Sequence, residues 1–268
     1  MSRYADYHDL KIEVANKVAT VTLNRPEARN AINQRLIREL RRIWDDLGDD
    51  PQVNAVLLTG AGDWFSVGGD VKAMSDRPGG DVLEEGEVHD PMISRRLVSR
   101  HLELDKPIVC AINGAAAGYG MDLALGCDIR LASENAKMGA VFAKRGIVPE
   151  SGGCWYLPRL LGWAKAAEVA FLGDVLDAQQ SLEVGLVNKV VPHDELMNEA
   201  RAWAHKIANN APLAVQATKR MMRLGQDETF EAAVDHILLQ LLPLTQTDDF
   251  KESLSAFAER REPAFKGR

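Results

Sequence analysis

KPIVCAINGAAAGYGMDLALGCDIRL, residues 106–131, decides the fold. Ile108–Ile112 is a short, wholly apolar run, the pattern of a strand covered on both faces. Residues 113–120, NGAAAGYG, carry almost no side chains, and 121–125 then read as a helix. Small residues let a ligand approach the backbone, and the first turn of a helix presents N–H groups that have no internal partner. Such a turn suits developing negative charge. It is no known nucleotide loop: a Gly-Lys-Ser/Thr ending is missing, and Gly114, Gly118 and Gly120 miss the dinucleotide spacing. Taken alone, the stretch also reads as tight strand–helix packing.

The same grammar occurs earlier. Residues 55–59, AVLLT, form another buried strand, followed by GAGDWFSVGGD at 60–70 and a helix start at 71–74. Two Gly-rich turns, each after a parallel-type strand, can aim two backbone N–H groups at one oxygen, the geometry of an oxyanion hole. On residues 23–31 (LNRPEARNA), 65–70, 113–128, 146–153, 185–187 and the tail from 249 to 267, the chain resembles the crotonase (enoyl-CoA hydratase/isomerase) superfamily. That resemblance spans nearly the whole chain. It implies an α/β fold, a spiral of ββα units, with a C-terminal helical trimerisation region. The implied division is an acyl-CoA-binding core over 1–193 and a helical region over 194–268, assembled as a homotrimer or dimer of trimers.

At 268 residues and 46% hydrophobic content the chain can bury a large core. Its net charge of −7 argues against a dedicated nucleic-acid binder. Cys110, Cys127 and Cys154 make an odd set without CxxC spacing and read as reduced, buried thiols of a cytoplasmic protein. The N-terminal stretch has no signal-peptide core, and 18 uninterrupted apolar residues occur nowhere, so no membrane partner is expected.

In chain order, alternation over Leu10–Ala15 and Val18–Leu23 around Asn16-Lys17 predicts a β-hairpin. A helix follows over 34–47. Residues 74–91 have six acidic side chains and no clear period, reading as a polar loop able to cover a pocket. Helix is expected at 93–104, strands at 129–132 and 137–142, and a turn at 146–153. Helices then follow over 155–161, 164–173 and 178–184, and a strand over 186–191. The remainder reads as helices at 194–208, 213–224, 227–241 and 248–261.

The resemblance places the two oxyanion donors on the backbone N–H of Gly69 and Tyr119. Removing a proton beside a thioester makes an enolate, and one such donor is typically worth roughly 3–4 kcal/mol of barrier. Coenzyme A contacts fall on Ala28, Arg29, Val67, Gly68 and Asp70, with Lys266 reaching a phosphate from a neighbouring subunit; Arg29 and Lys266 read equally as solvated charges. Hydratases of the family hold a water between two glutamates. Here the first position is Asp122 and the second Phe142, which transfers no proton. Glu150 instead falls where several enoyl-CoA isomerases place their catalytic acid, with Trp155 expected beside it. The alternatives are a dipole-serving carboxylate for Asp122 and a cap or first-turn acid for Glu150. The implied activity is 3-enoyl-CoA to 2-enoyl-CoA (or dienoyl-CoA) isomerisation through Glu150, with 2-enoyl-CoA hydration as the alternative. A non-catalytic acyl-CoA- or RNA-binding scaffold is the remote one. No metal and no cofactor beyond the coenzyme A of the substrate are expected.

Overall fold

The structure is a computed structural model that describes residues 3–71, 101 and 103–268. The loop expected at 74–91, and all but His101, Glu103 and Leu104 of the helix expected at 93–104, lie outside the described residues.

Two sheets carry the chain. The larger has the order β1 (Leu10–Ala15), β2 (Val18–Leu23), β3 (Ala55–Gly60), β5 (Ile108–Ile112), β7 (Ile129–Ser133) and β10 (Lys189–Val191). The hairpin β1–β2 is antiparallel, turning at Asn16 and Lys17, both at positive φ; the other pairs are parallel. The smaller sheet has the order β4 (Trp64–Ser66), β6 (Ala115–Ala117), β8 (Lys137–Gly139) and β9 (Val175–Asp177).

Three successive strands of the large sheet, β3, β5 and β7, are each followed by one of the small sheet, β4, β6 and β8. Helix α2 (Tyr119–Leu125) then follows β6, and α3 (Gly153–Leu172) comes after β8 and a 3-10 turn. This is the ββα repeat. β3 and β5 are buried along their whole length, which is why they are continuous apolar runs.

Helix α1 (Gln34–Gly48) covers one side of the large sheet with Leu36, Leu40, Ile43, Trp44 and Leu47, and is capped by Asn33 on the Leu36 N–H. After the short α4 (Ala178–Glu183), helix α5 (Leu196–Ala208) covers the other side. Its Ala200, Ala204 and Ala208, one per turn, let it lie close against Val18, Leu57, Val109 and Leu131. The chain ends in α6 (Pro212–Leu224), α7 (Phe230–Leu244) and α8 (Asp248–Glu259). Among the described residues no helix is long and apolar enough to cross a membrane, and no His/Cys/Asp/Glu cluster forms a metal site.

Several expectations are corrected. The strand expected over 137–142 ends at Gly139, because Phe142 is already helical and opens the 3-10 turn Ala143–Arg145. The break expected at Gly162 is present, by contrast: α3 is two helical stretches meeting at that residue, whose backbone is non-helical (φ +72°, ψ 165°). Cys110 and Cys127 are buried, but Cys154, in the first turn of α3, is exposed.

Candidate active site

Strand pairing brings the two Gly-rich turns together. β4 lies parallel to β6, with Trp64 opposite Ala115 and Ser66 opposite Ala116. Two buried asparagines hold the crossing. Asn113 donates to Gly62 O (2.7 Å) and accepts from Gly60 N–H (3.2 Å), while Asn30 donates to Trp64 O (2.7 Å) and Ala61 O (3.0 Å). The Ser66 hydroxyl donates to Asn30 O (2.8 Å) and accepts from Gly68 N–H (3.2 Å).

The backbones then touch. A Cβ at Gly68, whose φ is +88°, would sit 2.6 Å from Ala117 O and 3.3 Å from Tyr119 N, so only glycine fits. The short parallel bridge between Ile32 and Gly69 uses Gly68 C=O and Asp70 N–H, which turns the Gly69 N–H to the opposite side. Tyr119 opens α2, so its N–H has no intrahelical acceptor. Among the described residues neither N–H has a hydrogen-bond partner.

Below this junction lies Asp122, in the first turn of α2 and wholly buried. Its Oδ2 accepts from the Ser151 hydroxyl (2.7 Å) and the Gly153 N–H (2.9 Å). Its Oδ1 has no partner among the described residues. Burial is the largest influence on its pKa, raising it from 3.8 to about 7; the two donors oppose that, and nearby Glu150 adds to it. Asp122 is therefore tied to the turn that carries Glu150.

Glu150 is exposed as a residue, yet the protein crowding its carboxyl raises its pKa, desolvation being the main cause. It is not the cap of α3; that position belongs to Gly152. The Tyr119 ring is half-buried, and its phenol is pushed up first by burial and then by the charges of Glu150 and Asp122, which puts it in the same neighbourhood.

Phe142 is buried, its ring 3.9 Å from where a Gly118 Cβ would stand, so it backs the α2 turn with hydrocarbon. The Trp155 ring is taken up by Tyr156, edge-on at 5.4 Å, and by the Arg159 guanidinium at 4.0 Å. Tyr156 in turn shares a hydrogen bond with buried His101 (3.1 Å), whose pKa desolvation lowers to about 4.

The chain matches the family model described as enoyl-CoA hydratase/isomerase over residues 13–268. The chain belongs to the enoyl-CoA hydratase/isomerase family. It is 39% identical over 260 residues to the (E)-benzylidenesuccinyl-CoA hydratase of Thauera aromatica, covering 96% of this chain and 98% of the other. To the short-chain-enoyl-CoA hydratase of Clostridium acetobutylicum it is 37% identical, covering 98% and 100%. The crystal structure of an enoyl-CoA hydratase from Mycobacterium tuberculosis H37Rv superposes with a TM-score of 0.87 at 34% identity, covering 97% of this chain and 99% of that one. The fold is thus the α/β crotonase type, and the protein is an acyl-CoA-processing enzyme of this family.

The remaining candidates of this hydratase/isomerase chain sit as follows. Arg29, at positive φ, lays its guanidinium 4.9 Å over the Trp64 ring, and its carbonyl accepts from Val67 N–H (3.3 Å), so Ala28, Arg29, Val67 and Gly68 share one edge of the junction. Asp70 is held by Arg25 at 3.2 Å, a tie between two loops. Lys266 is exposed in the tail, where its N–H donates to Asp249 (2.6 Å). Residue-by-residue reading missed Asn30, Asn113 and Ser151. All three stand in the motif segments, and for Asn113 a polar residue between an apolar run and small residues was the signal.

Proposed function

We propose that this enzyme moves a double bond of an acyl-CoA through Glu150, isomerising a 3-enoyl-CoA to the 2-enoyl-CoA (or one dienoyl-CoA to its dienoyl isomer). The Glu150 carboxylate takes a proton from the carbon next to the thioester. The electron pair runs to the thioester oxygen, where the Gly69 and Tyr119 N–H groups receive the charge. Glu150, now a carboxylic acid, returns the proton two carbons further along, and the new double bond closes beside the carbonyl. Ala28, Arg29, Val67, Gly68 and Asp70 border the coenzyme A path, and Lys266 serves a neighbouring subunit's phosphate. The reaction uses no cofactor besides the coenzyme A of its substrate.

One observation carries the preference for isomerisation. The Oδ2 of Asp122 is engaged by Ser151 and Gly153, and Phe142 fills the place of the second hydratase glutamate, which leaves Glu150 to move protons. An apolar wall at Phe142 also disfavours an ordered water. Hydration of a 2-enoyl-CoA, a lyase reaction, is the second reading, favoured because the relatives compared carry hydratase names. It needs a water held between Glu150 and Asp122. Residues 194–268 supply the association region of a homotrimer or dimer of trimers, supported by the apolar side chains exposed along α7.

Supplying the purified enzyme with one 3-enoyl-CoA and one 2-enoyl-CoA, and separating the products, tests the choice. Faster isomerisation than hydration supports the first reading; the reverse replaces it by the second.

A further inference from the structure

Ser151 has a part that the proton chemistry does not itself require. It is buried beside exposed Glu150, and its hydroxyl donates to Asp122 Oδ2 at 2.7 Å. Two residues on, the Gly153 N–H donates to the same oxygen at 2.9 Å. There is no room for looser packing: a Cβ at Gly153 would overlap Asp122 and stand 2.8 Å from the Pro149 Cβ. One carboxylate oxygen thus pins residues 151 and 153, just after Glu150, to the first turn of α2, whose first residue is Tyr119.

We infer that Ser151 is a positioning residue, clamping Asp122 so that the Glu150 turn stays in register with the oxyanion loops. The inference rests on the assignment of proton transfer to Glu150. An ionised neighbour makes the Glu150 carboxylate a stronger base, because its proton is then held by an additional negative charge. The two donors stabilise the Asp122 anion against burial, and losing one leaves Asp122 protonated over more of the neutral range. The titratable groups facing Asp122 are Glu150, Tyr119, Cys154 and Tyr156; burial raises the two phenols, and the exposed Cys154 thiol is raised by partial desolvation and by the charges of Asp122 and Glu150.

The test is the pH profile of kcat for wild type, Ser151→Ala, Asp122→Asn and the double variant, with Glu150→Gln alongside. Loss of a hydrogen bond to a charged group is expected to move the acid limb of Ser151→Ala up by about one pH unit, with KM little changed. Asp122→Asn should keep only the limb set by Glu150 itself, and adding Ser151→Ala to it should shift nothing further. A Ser151→Ala limb left where the wild type has it, or a shift that persists in the Asp122→Asn background, overturns the clamp. Should Ser151→Ala not fold, Ser151→Gly removes the same hydroxyl and is read in the same way. If Glu150→Gln retains turnover, the assignment of proton transfer fails instead, whatever Ser151 does.

Discussion

Asp122 shows how one side chain takes its character from its surroundings. In the sequence it is an acid in the first turn of a helix, equally readable as a dipole partner or as half of a water-holding pair. Its burial and its two donors on one oxygen are products of the 149–153 turn folding back, and no local pattern announces them. The folded pKa of about 7 stands above the usual 3.8. Between those values the folded protein keeps a proton that the unfolded chain has released, so stability falls as pH rises through that window. The whole effect is up to about 4 kcal/mol at 1.36 kcal/mol per pKa unit. Asp122→Asn removes the titration. Denaturant unfolding at pH 5 and pH 8 should therefore show the wild type losing stability relative to the variant as pH rises; a constant difference contradicts the account. Glu150 stands out in the sequence as a candidate from its place in the VPESGG segment, since a motif position is readable without knowledge of packing.

At the scale of elements, apolar runs and helical periods were readable, down to the short helix α4, whereas three-residue strands of the small sheet were not. The buried strands β3 and β5 and helix α1 follow from apolar runs and a helical period that packing merely completes. The three-residue strands β4, β6 and β9 carry too little pattern, and β6 is only Ala115–Ala117. They exist because neighbouring strands of the small sheet accept them, and they are what draws the two Gly-rich turns into contact. Helix α1 also does more than cover the sheet. Its buried Glu39 accepts from the N–H groups of His8 (2.9 Å), Asp9 (2.9 Å) and Leu10 (3.0 Å), fixing the start of β1. Replacing Glu39 by Ala leaves buried donors without partners and should destabilise the fold by roughly 2–4 kcal/mol, read from denaturant midpoints. A loss below about 0.5 kcal/mol, the range of an ordinary surface change, would mean that water satisfies those groups instead.

The whole molecule exposes more hydrocarbon than its core explains. Helix α7 has no buried residue, and Phe230 is 79% and Leu239 and Leu242 each 63% exposed. On α3, Trp163 is 76% and Phe171 74% exposed. Apolar patches of this kind on soluble proteins mark association surfaces. The sequence showed these residues as a helical period without showing what they face, because a period marks an apolar side and not its partner. With association through α7, the wild type should run as a trimer or larger in light scattering, and Leu239→Lys with Leu242→Lys should release monomers. A wild-type monomer at micromolar concentration contradicts that reading.

The central claim is that one carboxyl, Glu150, carries the proton between two carbons while two backbone N–H groups hold the enolate. The most direct measurement is the turnover of a 3-enoyl-CoA by Glu150→Gln against wild type, with folding checked by thermal melt. A loss of about 10²–10⁴-fold in kcat, the range of general acid–base groups, is expected, with Asp122→Asn losing less. Near-normal turnover by Glu150→Gln, with Asp122→Asn inactive, would contradict the account.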